Sequence, residues 1–273
     1  MRFNGSTSFD RTNYFETFTA SHENLEWALK MESDRMVNAF IARKDLDTEM
    51  TVVRNEYERG ENDPQQVLWG RMQAAAYDWH NYSHSAIGAR SDIENVDIPR
   101  LQAFYHLYYQ PDNAVLIVAG HFDPDRTLEL IAKDFGPIPK PTRKLPTLYT
   151  EEPVQDGERT VTVRRVGGSQ FVAALYHTVR GASPDAVAVQ ALGEVMTVEP
   201  AGRLYKALVE TRKASAVEVL TIGFADPGDI IFWAQVPLGD SIDAARDAMI
   251  ATVEGVRANP ITLAEVDRVR AKA

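Results

Sequence analysis

The chain has 273 residues, of which 44% are hydrophobic and 25% are charged, and its formal net charge at pH 7 is −10. A chain of that length is long enough to form two domains, each with a buried core. An acidic chain without a block of Lys or Arg argues against a nucleic-acid partner. The lack of cysteine excludes disulfides, a thiolate metal site and a cysteine nucleophile. No apolar run is long enough to span a bilayer, so no membrane partner is expected.

The first half of the chain is predicted to contain two strands and several amphipathic helices. Aromatic and β-branched residues without Pro or Gly favour a strand over residues 6–19, and the continuous apolar run 113–120 favours a buried strand. Residues 80–96 lack periodicity and are predicted to form a loop. Apolar spacing, caps and Pro signals predict helices at 21–42, 47–59, 64–75, 99–110 and 124–135.

Five prolines between residues 136 and 158 disfavour regular structure and favour an extended connection. We therefore place the domain boundary in this region. Residues 1–137 are expected to form the first domain, 138–158 a Pro-rich linker and 159–273 the second domain.

The second half is predicted to combine strands with helices. The pattern of its last helix continues to the final residue of the sequence without a C-terminal capping signal. Together with a strand that begins almost at the first residue, this indicates a fragment of a longer protein. The predicted strands are 159–166, 170–179, 214–224 and 229–237, and the predicted helices are 184–197, 202–212, 240–257 and a last one from 262.

The sequence leaves the compartment open. Its first ten residues lack the apolar core of a signal peptide. We expect a cytoplasmic protein, or a periplasmic or extracytoplasmic one if the natural chain begins upstream with a signal peptide.

Common catalytic signatures are absent from the chain, including G-x-S-x-G, the phosphate loop, H-E-x-x-H and H-x-x-E-H. His80 and His84 are four residues apart, a spacing that would place two metal ligands on one face of a helix. They fall in the predicted loop, where a role as polar anchors is the simpler interpretation.

Glu49 and Glu56 form a more informative pair. Seven residues correspond to about 700° of rotation at roughly 100° per residue, so both carboxylates lie on one helix face about 10 Å apart. One could bind a metal while the other orients the groups behind it. Glutamates are also common on solvated helix faces, so the geometry alone leaves both interpretations open.

The surrounding sequence resembles the insulinase/pitrilysin family of zinc metallopeptidases. The string TEMTVVRNEYERGENDP, residues 48–64, is similar to the family's third-ligand helix, in which six residues separate two glutamates. The resemblance implies that Glu56 is a zinc ligand and that Glu49 is a supporting carboxylate of the catalytic site. Four further strings are similar to the family in the same order along the chain: NGSTSFDRTNYFET, MESDRM, YYQPDNAVLIVAGHFD and GRLYKALVETRKAS.

The chain departs from the family in one respect. The family's H-x-x-E-H segment, which supplies two histidine ligands and the catalytic glutamate, lies farther upstream than the 55 residues that precede Glu56. A catalytic zinc needs three protein ligands and an open water position, and the water needs a carboxylate as its base. We therefore expect Zn²⁺ in the complete enzyme, whereas this chain alone should bind it weakly and be inactive.

The resemblance implies an α+β fold of two related domains, each a mostly antiparallel sheet covered on one face by helices. It also implies that the chain is part of a zinc-dependent metalloendopeptidase acting on unfolded peptides. The partners would be peptide substrates and either missing N- and C-terminal segments or a homologous half that completes a chamber. Two alternatives stay open: a non-catalytic member that binds peptides or builds a chamber with an active partner, and a purely structural subunit.

A peptide-binding edge strand is the last expectation from the resemblance. In the family, the peptide pairs through main-chain hydrogen bonds with an edge strand of the first domain. The matching positions here are Asn4, Gly5 and Ser6. Asn-Gly is also a common turn dipeptide, so a plain turn leading into a strand is the competing interpretation.

Overall fold

The structure is a computed structural model that describes residues 1–272. The chain divides into two compact units, one made of residues 1–60 and 84–152, the other of residues 61–83 and the chain from 153 onward. Helices and antiparallel strands give the predicted α+β fold. Residues 61–83 therefore belong to the second unit although they precede the Pro-rich region. The domain limits proposed from the sequence stay a prediction.

A two-stranded antiparallel hairpin opens the first unit. Strand β1 (Arg2–Thr7) pairs with strand β2 (Thr12–Thr17). In the turn between them, the amide of Ser8 donates to the carbonyl of Arg11 at 2.9 Å. The single strand predicted over residues 6–19 is therefore wrong, because this polar stretch turns the chain back on itself.

Helices supply most of the remaining regular structure of the first unit, and all of them except the short fourth helix lie close to their predicted positions. Three of them begin at residues whose side chains accept hydrogen bonds from backbone amides of the first turn: Ser21, Asp97 and Asp123. In chain order the helices are α1 (His22–Asn38), α2 (Arg43–Glu61), α3 (Pro64–Ala76, in the second unit), α4 (Arg90–Asn95), α5 (Ile98–Tyr108) and α6 (Pro124–Phe135).

Helix α5 fixes the corner between α1 and α2. The buried Tyr105 hydroxyl donates to the carbonyl of Arg35 at 2.7 Å and accepts from the amide of Ala39 at 3.0 Å. This contact determines where α1 ends and where the chain turns toward α2, the helix that carries Glu49 and Glu56.

The buried strand predicted at 113–120 is wrong. After a 3₁₀ turn at Pro111–Asn113, residues 114–119 have no regular structure, and Val115 and Ile117 are 86% and 80% exposed. A continuous apolar run becomes a buried strand only where neighbouring strands pair with it. Among residues 1–272, no strand pairs with this run.

Two other short segments differ from their predictions. The predicted loop 80–96 contains a 3₁₀ turn, Asn81–Ser83, and helix α4, because six residues are too few to show helical periodicity. The predicted strand 159–166 does not pair into a sheet. Alternating Val residues favour an extended backbone, but they do not specify a partner strand.

The second unit is built on a three-stranded antiparallel sheet with the order β3–β5–β4. The strands are β3 (Gln170–Arg180), β4 (Ala216–Ile222) and β5 (Pro227–Val236). The central strand is buried on both faces. Its alternate residues enter the hydrophobic core of this unit: Ile230, Phe232, Ala234 and Val236.

Two helices and a π-helical turn pack against this sheet: α7 (Ala186–Thr197), the turn Tyr205–Val209 and α8 (Ile242–Glu254). Their contribution to the core includes Met196, Leu208 and Met249, which are fully buried. Helix α9 (Leu263–Arg270) packs against α7. No helix within residues 1–272 combines the length and apolar character needed to cross a bilayer.

Residues 61–83 join the second unit through polar contacts between residues distant in sequence. Arg165 donates to the carbonyl and the carboxylate of Glu61 at 2.5 and 3.2 Å. Arg159 donates to both carboxylate oxygens of Asp78 at 2.9 and 2.5 Å. The contact of Arg159 with both oxygens of Asp78 is directional, so it orients the segment as well as attracting it.

Candidate metal helix and peptide-binding strand

Helix α2 presents Glu49 and Glu56 on its surface. Both side chains are exposed, and the helix that carries them extends beyond its predicted ends to Arg43–Glu61. Helical geometry then places the two carboxylates on one side, about 10 Å apart. The buried Leu46 anchors the first turn of the helix. The predicted helix is therefore present, and the metal-binding role of its glutamates stays a prediction.

The residues of this chain do not form a complete zinc site. Within residues 1–272, no group of three or more His, Asp or Glu side chains could hold a metal ion together. Glu56 fits the chemistry of one zinc ligand, but a catalytic zinc takes three protein ligands. No catalytic step can therefore be assigned to the side chains of this chain alone.

His80 has a hydrogen-bonding role in the structure. Its Nε2 lies 3.2 Å from a carboxylate oxygen of Asp226, and its Nδ1 accepts from the amide of Tyr82 at 3.3 Å. The residue lies in a bend that precedes the 3₁₀ turn, not on a helix. These contacts agree with the interpretation of His80 as a polar anchor.

Strand β1 carries the three residues expected to bind peptide. Asn4, Gly5 and Ser6 are exposed and lie inside the strand, so the Asn-Gly dipeptide does not form a turn. One edge of β1 pairs with β2, and no strand of residues 1–272 pairs with its other edge. An unpaired edge is the geometry that strand addition requires. No hydrogen bond within the described part of the chain joins these residues to Glu49 or Glu56.

Gly5 allows an aromatic ring to lie against the strand. Gly5 is opposite Tyr14 of β2, and a Cβ atom at position 5 would lie 3.3 Å from two carbons of that ring. The Tyr14 hydroxyl shares a hydrogen bond of 2.9 Å with the hydroxyl of Tyr109, and the Arg35 guanidinium lies 4.7 Å from its ring centre. Burial and the Tyr109 contact raise the pKa of Tyr14 above its usual value.

A carboxylate pair lies beside this tyrosine. Glu16 of β2 and Glu32 of α1 share Arg35, which lies 3.6 Å from a Glu16 oxygen and 3.1 Å from a Glu32 oxygen. Burial, followed by the hydrogen bond to Glu16 and the repulsion from its charge, raises the pKa of Glu32 from 4.5 to about 7. Glu32 therefore retains a proton close to neutral pH.

The sequence alone predicts only part of the cluster formed by Glu16, Glu32 and Arg35. Glu32 and Arg35 are three residues apart, a spacing that places their side chains next to each other on a helix. Glu16 is brought to them only by the packing of β2 against α1, which no local pattern shows. The predicted site residues therefore do not include this cluster.

Two family models match the chain. One is described as Insulinase (Peptidase family M16) and matches residues 1–90, and the other is described as Peptidase M16 inactive domain and matches residues 95–273. Among curated proteins, zinc protease PqqE of Helicobacter pylori is 31% identical over 271 residues, which cover 98% of this chain and 61% of the relative.

Solved structures show the same architecture. A protease from Helicobacter pylori matches with a TM-score of 0.92 at 30% identity, over 99% of this chain and 66% of that one. The peptidase M16 inactive domain from Pseudomonas fluorescens matches with a TM-score of 0.86 at 16% identity, over 99% and 65% of the two chains. The chain thus spans less than two thirds of the length of these three relatives.

Proposed function

Because the chain belongs to the peptidase M16, or insulinase, family, we propose that it is part of a zinc-dependent metalloendopeptidase that hydrolyses unfolded peptides. The observation that carries this proposal is the similarity of nearly the whole chain to a zinc protease. The structure adds support, since α2 forms where the resemblance requires a helix and exposes both glutamates.

In this proposal, Glu56 is one ligand of a zinc ion, and Glu49 orients a neighbouring ligand through a hydrogen bond. The other ligands and the general base come from outside the 273 residues. Asn4, Gly5 and Ser6 bind the peptide main chain along the unpaired edge of β1, which gives little dependence on peptide sequence.

Exposed apolar residues in the first unit support a partner or a further segment of polypeptide. Val115 and Ile117 lie in an extended run whose backbone pairs with no strand of residues 1–272. Exposed apolar surface next to unpaired backbone is a common docking site for another strand. We propose that the remaining segments of a longer protein, or a homologous half, cover this run.

One alternative function has a specific observation in its favour. The family model that matches the larger part of the chain, residues 95–273, describes an inactive domain. A non-catalytic subunit that binds peptides or builds a chamber would need β1 but not Glu56. The two functions therefore differ in whether Glu56 is required.

The test uses a polypeptide that joins this chain to an upstream H-x-x-E-H segment and a downstream half. We expect chelator-sensitive hydrolysis of an unfolded peptide. Glu56→Gln should lose both zinc and activity, whereas Glu49→Gln should keep most of the zinc and lose about 10–100-fold in activity. Glu58→Gln is the matched control, because residue 58 lies about 200° around the helix from residue 56.

Three results would contradict parts of the proposal. Undiminished hydrolysis by Glu56→Gln would show that α2 is not the metal helix. If the joined polypeptide binds peptide without chelator-sensitive hydrolysis, the non-catalytic alternative takes its place. The 273-residue chain alone should keep no stoichiometric zinc after dialysis, and tightly bound zinc there would show that the ligands lie within it.

A further inference from the structure

A fully buried carboxylate lies where residues 61–83 meet the sheet of the second unit. Asp229, at the start of β5, is 0% exposed. The Tyr77 hydroxyl, just beyond the end of α3, donates to its Oδ1 at 2.8 Å. The other oxygen, Oδ2, is buried without a hydrogen-bond partner within the described part of the chain. A buried ionised carboxylate needs a compensating positive charge or a proton.

His177 is placed to supply that compensation. It is the antiparallel partner of Asp229, with its Nδ1 3.4 Å from Asp229 Oδ1. Its Nε2 lies 3.0 Å from the carbonyl oxygen of Ala76. A carbonyl only accepts, so Nε2 must carry a hydrogen. The Nδ1 of a neutral imidazole would then carry only a lone pair, which repels a carboxylate oxygen 3.4 Å away. A proton on Nδ1 of His177 would remove this repulsion and place a positive charge beside the buried Asp229 carboxylate.

The neighbouring histidine does not require an additional proton. His80 accepts at Nδ1 from the amide of Tyr82 at 3.3 Å, so its Nε2 carries the hydrogen directed at Asp226. The neutral ring satisfies both contacts. Asp226 is also 43% exposed in its side chain, in contrast to Asp229. This second His–Asp pair serves as an internal control.

Other ionisable groups near the cluster have identified partners. Arg159 makes its two-pronged contact with Asp78 and also donates to the carbonyl of Ala75. The Tyr82 hydroxyl accepts from the amide of Asp226 at 3.2 Å. The ring of Tyr77 packs edge-on against that of His177, with centroids 4.9 Å apart. Of the groups named here that can carry a positive charge, the His177 ring lies nearest to Asp229, with its Nδ1 3.4 Å from Oδ1.

We propose that Asp229, His177 and Tyr77 form a proton-dependent latch that holds residues 76–82 on the sheet of the second unit. With the proton bound, the latch joins β3, β5 and the end of α3 through the contacts to Ala76 and Tyr77. Loss of the proton leaves a buried, uncompensated carboxylate and a repulsive Nδ1 contact, so the segment detaches more often as the pH rises. The latch does not depend on the proposed peptidase activity.

The first experiment measures the proton directly. In ¹⁵N-histidine-labelled protein, the ring nitrogens of His177 should show a protonated Nδ1 at pH 7. The His177 resonance is identified by its loss in His177→Gln. A neutral His177 ring at pH 7 would overturn the proposal, and this measurement needs only the unaltered chain to be folded.

The second experiment measures detachment. Hydrogen exchange of peptides from residues 64–83, corrected for intrinsic rates, should lose protection by about tenfold or more between pH 6 and 9. Asp229→Asn should abolish this pH dependence, Tyr77→Phe should lower protection at every pH, and the control Asp226→Asn should leave the profile unchanged. Equal pH dependence in the unaltered chain and Asp229→Asn would overturn the latch, as would an effect of Asp226→Asn of the same size.

Discussion

At the scale of single residues, burial and neighbouring charges move the pKa of a side chain away from the value usual for its residue type. Glu16 and Glu32 are common strand and helix residues, yet burial and the neighbouring Glu16 carboxyl group raise the pKa of Glu32 to about 7. Arg35 offsets one negative charge, so a second ionised carboxylate at the same place meets uncompensated repulsion. The result is a proton bound between β2 and α1, next to the strand proposed to bind peptide.

This proton should appear in the pH dependence of stability. The pKa of Glu32 is raised from 4.5 to about 7, so the folded chain binds this proton more tightly than the unfolded chain. The contribution of Glu32 to the free energy of unfolding is fully present below about pH 4.5 and is lost as the pH rises through about 7. We expect Glu32→Gln, which stays neutral, to remove that decline.

Urea denaturation at several pH values in this window measures the effect. The matched control is Glu129→Gln, an exposed glutamate on α6, which should keep the slope of the unaltered chain. An unchanged slope in Glu32→Gln would mean that Glu32 does not hold this proton in the folded chain.

At the scale of elements, the turn after the π-helical residues Tyr205–Val209 shows a local conflict between sequence and backbone. Arg212 has a φ of 58°, in the left-handed region that glycine tolerates best. The amides of Lys213 and Ala214 both donate to the carbonyl of Leu208, at 2.8 and 3.1 Å, and so end the helical segment. The same hydrogen bonds therefore hold Arg212 in a backbone conformation that is strained for any residue with a Cβ atom.

Relief of this strain should stabilise the second unit. We expect Arg212→Gly to raise the free energy of unfolding by roughly 1 kcal/mol, because the exposed arginine side chain contributes little and the backbone penalty disappears. Arg212→Ala is the control, since it removes the side chain and keeps the penalty. Chemical denaturation compares the three proteins, and a stabilisation by alanine equal to that by glycine would show that φ is not the cause.

At the scale of the whole molecule, the Pro-rich region 138–158 is held at both ends and exposed between them. Arg143 donates to both carboxylate oxygens of Asp112, at 2.7 and 2.8 Å, in the first unit. Arg159 makes its contact with Asp78 in the second. Between these two anchors the chain has no regular structure. This stretch is therefore the most accessible to a protease.

Limited digestion with chymotrypsin should cut first between residues 144 and 158, at or next to Tyr149, which is 89% exposed. The two fragments should still elute together from a native sizing column, because residues 61–83 belong to the N-terminal fragment and pack in the second unit. Mass spectrometry identifies the cut. A first cut within α2, or fragments that separate without denaturant, would contradict this description of the chain.

Short-range sequence patterns were enough to predict much of the local structure and the family resemblance. Helices with clear caps, such as α6 after Asp123 and α9 after Thr262, form at their predicted positions, because capping and apolar spacing act within one or two helical turns. The spacing of Glu49 and Glu56 likewise places both on a common helix face, because the helical repeat alone sets that geometry.

Strand pairing and the burial of polar groups, by contrast, depend on how the whole chain packs. The run 113–120 has the pattern of a buried strand, yet it stays exposed because burial depends on strands that are distant in sequence or absent from the described chain. The contact of Tyr77 with Asp229 joins residues 152 positions apart. No local pattern encodes such contacts, because they arise when packing brings distant segments together, and that packing sets the burial and charge environment of each group.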